Sequence, residues 1–264
     1  MSGEEDRSLK SKGKAALAPS AGGKPVPGGL SDRIAAEFGR RIVSGAIAPE
    51  STLPIEPEIQ REFAVSRTAV REAMRLLAGK GMTRSRRKTG THVRPTTDWN
   101  MLDPDVLQWH LEPQPSAEFI QDLFEMRLIF EPIATSLAAQ RVDDGARARL
   151  REAAEGIAAN PRGSDGQVEA DLNFHMTVLH ATHNTLLLSL GSLIRSALAV
   201  TFQVGWQRQT SPEESVAMHR DVCEKICNGL AAEAGEAMRN LIESSRDDLI
   251  AAVNRSSHSG KARV

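Results

Sequence analysis

The chain has 264 residues, 40% of them hydrophobic and 25% charged, with a net charge of -1. That composition suits a soluble globular protein of about two domains. No run of about 18 apolar residues is present to span a membrane, the first 28 residues lack an apolar signal core, and two cysteines, Cys223 and Cys227, cannot make a disulfide framework. A reducing cytoplasm is the expected compartment. The near-zero charge hides a split: residues 1–95 hold 18 basic and 10 acidic residues, and the remainder 15 and 24. A basic front and an acidic back point to nucleic acid at one end only.

Residues 1–29 are rich in Lys, Ser, Ala, Gly and Pro, and are expected to form a disordered tail. Ser31 opens a helix to about Ser44, with Ile34, Phe38, Ile42 and Val43 as its apolar stripe. A second helix is expected over about 56–63, with Ile59 and Phe63 inward. Ser66 is an N-cap for a third, in which Val70, Ala73, Met74 and Leu77 share one face and Arg67, Arg71 and Arg75 another. Met82–Arg86 and Thr91–Arg94 read as strands joined at Lys88-Thr89-Gly90. Between Ser66 and Arg94 lie nine basic residues and one acid, Glu72. A charge run is usually a solvated face. The order helix, helix, basic helix, basic hairpin instead describes the recognition helix and wing of a winged helix-turn-helix, whose arginines pair bidentately with guanine in the major groove.

Ile42-Val43-Ser44-Gly45, Leu53-Pro54, the run FAVSRTAVREA from Phe63 to Ala73, Leu76 and Gly90-Thr91-His92-Val93 together resemble the DNA-binding domain of the GntR family of transcription regulators. The resemblance implies a winged helix over residues 30–95 that binds double-stranded operator DNA as a homodimer. It places DNA contacts on Arg67, Thr68 and Arg71, with Arg75 on the same face and Gly90 at the wing tip. Pro57 stands where fatty-acid-responsive members carry an arginine, so their operator sequence does not transfer.

Residues 96–115 are expected to form a linker. Its run WNMLDPDVLQW, from Trp99 to Trp109, resembles the segment after the wing in galactonate-type members; two tryptophans packing the linker onto a domain is the expected role. Beyond Ser116 every periodic segment is helical, near 116–140, 144–159, 165–182, 185–207, 212–229 and 232–256. The fold class is therefore mainly α: a winged helix-turn-helix plus an all-α bundle of six or seven helices over 116–257, then a short tail over 258–264. Glu125-Met126-Arg127 with Glu131-Pro132 resembles the entry motif of the family's ligand-sensing FCD domain.

Asp171 and His175 are four apart, which on a helix puts a carboxylate and an imidazole within reach of one ion. An Asp orienting a buried His is an equally common arrangement. The resemblance adds His219 and implies a divalent metal held by these three; the family's fourth histidine falls on Leu241, which cannot ligate. The site then holds one metal, with Zn, Mn and Ni all compatible, and open positions for water or effector oxygens, or it binds the effector directly without metal. Arg127 sits in an apolar run and needs an anionic partner, either an internal acid, Glu125 or Glu131, or the carboxylate of a small organic acid. Trp206 and Arg195 are further effector-binding candidates; Trp206 as plain core is the alternative. His180 and His183 read as cap or surface residues, Asn184 as a helix cap, and the cysteines as small buried groups. No general base accompanies the Asp171, His175 and His219 cluster, so catalytic residues are not expected. The expected function is a repressor released by a hydroxy or sugar acid such as galactonate, with a metal sensor or a metal-dependent enzyme as the rival readings.

Overall fold

The structure, a computed structural model, describes residues 29–112, 115–161, 164–204 and 210–259. The expected tails over 1–28 and 260–264, and Trp206, lie outside these residues. Three short helices, α1 (Leu30–Val43), α2 (Glu56–Phe63) and α3 (Arg67–Gly79), lead into an antiparallel hairpin of β1 (Thr83–Arg86) and β2 (Gly90–Val93). The local chemistry accounts for each boundary. The Ser66 hydroxyl caps α3 by accepting from the Ala69 amide at 3.3 Å. Ala64 takes a left-handed conformation (φ 52°) that ends α2 and turns the chain into α3. Ile34, Phe38, Ile42, Ile59, Val70, Ala73 and Leu77 then close one core under the hairpin.

The strands pair Thr83 with Val93 and Arg86 with Gly90, so Arg87, Lys88 and Thr89 form the tip. Each strand starts one residue from its expected position. The stretch before α2 joins the hairpin: Leu53 donates its amide to Thr91 at 2.8 Å, and Val93 donates to Ser51 at 2.9 Å. The wing is thereby fixed to the body of the domain.

The expected linker is not merely a linker. After a 3-10 turn over Thr96–Asp98 it forms α4 (Pro104–Leu111), capped by the Asp103 carboxylate, with Pro104 at the first position. This helix has two buried sides. Val106 and Trp109 enter the N-terminal core, while Leu107 and Leu111 enter the C-terminal one. A Cβ on Gly39 would lie 2.2 Å from Trp109 Cε3, so only glycine lets α1 approach the indole this closely. Trp99 donates its indole N–H to the Arg94 carbonyl at 3.0 Å. Both tryptophans thus pack this segment onto the winged-helix domain, as expected. Lys80 adds a half-buried pairing with Asp103 at 2.8 Å and Asp105 at 2.7 Å.

The bundle comprises α5 (Ala117–Arg141), α6 (Asp144–Ala159), α7 (Asp165–Ala181), α8 (Thr185–Leu188), α9 (Gly191–Val204), α10 (Pro212–Cys227) and α11 (Ala231–Ser259). The single helix expected over 185–207 is therefore two. Asn184 caps α8 by accepting from the Leu186 and Leu187 amides, and the chain turns at Ser189–Leu190 before α9. Gly235 seats α11 on α5, since a Cβ there would meet Ser136 Oγ at 2.4 Å. Among the described residues no helix is long and apolar enough to cross a membrane.

Candidate functional site

The N-terminal domain presents a basic, exposed face. Arg67, Thr68, Arg71 and Arg75 are all exposed along α3, and Arg84, Arg86, Arg87 and Lys88 are exposed on the wing. Arg67 and Arg71 both reach back to one carboxylate: their Nε atoms donate to Glu56 at 2.9 and 3.1 Å. Glu56 therefore holds two guanidinium groups side by side at the N-terminal end of the recognition helix. Their arginines pull its carboxyl below the ordinary carboxylate range, against a smaller opposing effect of burial. Arg75 pairs instead with Glu72 on its own helix. Gly90 closes the wing with φ 91°, in the left-handed region that favours glycine.

The C-terminal domain holds a polar pocket in the middle of the bundle, open to solvent at its mouth. Helix α7 contributes Asp171 and His175, α10 contributes His219, and α5 contributes Arg127. Asp171 Oδ1 lies 3.3 Å from His175 Nε2 and 3.4 Å from His219 Nε2. The three ligand atoms fall within 4.8 Å of one another. Phe174 stands edge-on to both rings, at 5.7 and 5.1 Å between centroids, and sets their tilt.

The outer nitrogens decide what the inner ones offer. His219 Nδ1 is 2.7 Å from the Ser215 carbonyl, which only accepts, so Nδ1 carries the proton. In its neutral form the ring then turns a lone pair toward the Asp171 carboxylate. Two acceptors facing each other at this distance call for a cation or a proton between them. His175 Nδ1 lies 2.7 Å from Glu131 Oε2, off the line of a well-formed hydrogen bond. Each ring is thus backed by an oxygen and faces the same carboxylate, the pattern of imidazoles that ligate metals. The donor set fits one divalent ion with three protein ligands. Leu241 of α11 lines the same pocket and is 5% exposed. It supplies apolar wall where a fourth ligand would stand.

Arg127 is 1% exposed, and its internal partner is Glu131 rather than Glu125. The Nε–Oε1 distance is 2.5 Å. Arg127 Nη1 has no hydrogen-bond partner although it is buried. A charged, buried, unpartnered donor in a pocket wall is a ready site for an anion. Burial pushes the Glu131 carboxyl up, but the charges of Arg127 and His175 outweigh it and hold it at about 2. Burial likewise raises Asp171, and the two histidines outweigh it, keeping this group well below its ordinary range. For His175 burial acts downward, and Glu131 with Asp171 reverse the sign.

The pocket also has a polar wall that the sequence did not reveal. Ser244, Ser245 and Asp248 of α11 line it, with Thr210 and Ser215. Asp248 accepts from the Thr210 amide at 3.2 Å, and Thr210 Oγ1 meets Ser244 Oγ at 3.0 Å. Arg195, expected as an effector-binding residue, is exposed on α9 and does not line the pocket. Leu193, Ile194, Ala197 and Leu198 occupy the inward face of that helix and leave Arg195 outside. His180 and His183 are exposed, and Cys223 and Cys227 are buried.

A basic winged helix joined to an all-helical domain with a polar internal pocket is the architecture of a DNA-binding transcription regulator. Residues 30–93 match the bacterial regulatory proteins of the gntR family, and residues 122–244 match the FCD domain. The galactonate operon transcriptional repressor of Escherichia coli K12 is 33% identical over 81% of this chain and 94% of its own length. The HTH-type regulator YieP of the same organism is 31% identical over 79% and 88%. Among solved structures, Lar, described as controlling expression of the Listeria monocytogenes agr system, superposes with a TM-score of 0.60. It shares 16% identity, covering 86% of this chain and 99% of the other, a likeness of fold. The chain belongs to the GntR family, with an FCD domain, and is a DNA-binding transcription regulator rather than an enzyme.

Proposed function

We propose that this protein is a cytoplasmic, homodimeric repressor that leaves its operator when a small hydroxy or sugar acid, galactonate or a related aldonate, enters the C-terminal pocket. The observation that carries this reading is the unpartnered, buried Arg127 Nη1 beside the Asp171, His175 and His219 cluster. The guanidinium takes the carboxylate. The hydroxyl groups of the acid suit Ser244, Ser245 and Thr210 on the facing wall. The name of the Escherichia coli galactonate operon repressor supports the effector class. A divalent ion, Zn, Mn or Ni, would be held by Asp171, His175 and His219 and would supply positive charge for effector oxygens.

Release follows as a population shift. Leu198 of α9 lines the pocket, α9 packs on α4, and α4 is seated on α1 through Trp109 and Gly39. A ligand that reseats α9 therefore moves a rigid element bolted to the DNA-binding head. The two heads of the dimer lose the spacing that the operator requires. The test is fluorescence anisotropy on the protein's own promoter DNA, titrated with galactonate and a panel of aldonates and hydroxy acids, with and without chelator. Release by an aldonate supports the reading. Release by metal alone, with every acid inert, replaces it with a metal sensor.

A further inference from the structure

Behind the pocket wall lies a carboxylate that touches a residue of each candidate ligand site, Arg127 and His175. Glu131 is 2% exposed and lies one helical turn after Arg127 on α5. Its Oε1 receives Arg127 Nε, and its Oε2 lies 2.7 Å from His175 Nδ1. Arg127 Nη2 also approaches Oε2, at 3.5 Å. His175 reaches Asp171 through its other nitrogen. The line Arg127–Glu131–His175–Asp171–His219 thus alternates cationic or imidazole groups with carboxylates across three helices, α5, α7 and α10.

We propose that Glu131 is a positioning residue that couples cation binding at Asp171, His175 and His219 to anion binding at Arg127, so that each ligand raises the affinity for the other. The proposal rests on the divalent-ion reading given above. An ion on His175 Nε2 would polarise the ring and strengthen the attraction between Nδ1–H and Glu131 Oε2, whose 2.7 Å contact lies off the line of a well-formed hydrogen bond. Glu131 then neutralises Arg127 less fully, and the guanidinium holds an anion more tightly. In reverse, an anion on Arg127 draws the guanidinium from Glu131, which becomes a better acceptor for His175 and makes Nε2 a better ligand. Linkage requires the two effects to be equal. Outer-shell carboxylates on ligating histidines act this way in general, and their loss weakens metal binding by about 10- to 100-fold.

The test titrates Mn²⁺, followed by calorimetry and by the loss of its free-ion EPR signal, into the full-length protein at one pH, with Zn²⁺ and Ni²⁺ titrated into wild type by calorimetry. Four proteins are compared: wild type, Glu131→Gln, Arg127→Gln and the double variant, each checked for a cooperative thermal transition. Glu131→Gln is expected to weaken Mn²⁺ by roughly 10- to 100-fold. Arg127→Gln is expected to tighten it, because Glu131 is released to His175. A plain structural role would weaken binding in both. In the double variant, which leaves no uncompensated buried charge, the tightening caused by Arg127→Gln is expected to disappear. If it persists, Arg127 acts on the ion through space and the proposal is overturned. Equal Mn²⁺ affinity in wild type and Glu131→Gln overturns it too, while leaving the metal reading intact. No Mn²⁺ binding to wild type, with Zn²⁺ and Ni²⁺ equally inert, overturns the metal reading and the coupling together.

Discussion

Arg71→Ala tests the nucleic-acid surface most directly. The Arg71 side chain is 58% exposed on α3, and its ion pair with Glu56 runs through Nε, at 3.1 Å. A guanidinium paired through Nε keeps two terminal amino groups that can pair with the two acceptors of guanine in the major groove. One such bidentate contact is worth about 1–3 kcal/mol, or roughly 5- to 150-fold in affinity. The exposed pair with Glu56 adds little to stability, so the variant should fold and melt like wild type. The assay is anisotropy with the preferred duplex, selected by wild type from a randomised pool, and with single-base variants of it. Binding should fall by the stated factor on the preferred duplex, and discrimination at one base pair should relax. A uniform loss across all duplexes would make Arg71 a phosphate contact. Unchanged affinity would refute the placement of α3 in the groove.

Three further outcomes follow from the packing and the charges. Gly39→Ala drives a Cβ to 2.2 Å from Trp109, and overpacking of this kind costs about 1–3 kcal/mol; the calorimetric melting temperature should fall, and an unchanged melt would mean that Trp109 is not seated on α1. Leu241→His places an imidazole in the wall beside Asp171, His175 and His219, so Zn²⁺ affinity by calorimetry should rise; equal affinity would show that position 241 does not face the ion. In chelator-treated protein the depressed Glu131 carboxyl contributes stability that is present above its ordinary value of 4.5 and lost as pH falls toward about 2, a change worth roughly 3 kcal/mol. His175 has the opposite sign, contributing below 6.5 and losing that contribution as pH rises through its raised value, so denaturant stability should peak between about 4.5 and 6.5. A peak above neutrality would contradict this network.

The winged helix was legible because its signals are local. Ser66, the three-turn arginine face and the Lys88–Gly90 turn each specify their own geometry within a few residues. Asp171 with His175 was legible for the same reason: a spacing of four on a helix is a spatial statement. For Arg127 the sequence left Glu125, Glu131 and an effector carboxylate open as partners, and the fold pairs it internally with Glu131. The far wall of the pocket was not legible. Ser244, Ser245 and Asp248 have ordinary spacings on a long amphipathic helix, and only the packing of α11 against α5 and α10 turns them inward. Arg195 failed in the opposite direction. Apolar neighbours in sequence lie on both sides of a helix, so a leucine-rich surrounding says nothing about which face an arginine takes.

Helix α4 shows the same boundary between local and tertiary information, and it matters more for function. Asp103 and Pro104 announce a helix start, yet eight residues make barely two turns, too few for a periodic stripe. Val106, Leu107, Trp109 and Leu111 look like a scattered apolar run because they serve two cores at once. A true linker would let the head and the bundle move independently, and ligand binding would then have no lever on DNA. Burial of both sides removes that freedom. The residues that make the segment look least like a helix in sequence are the ones that pack it into both domains.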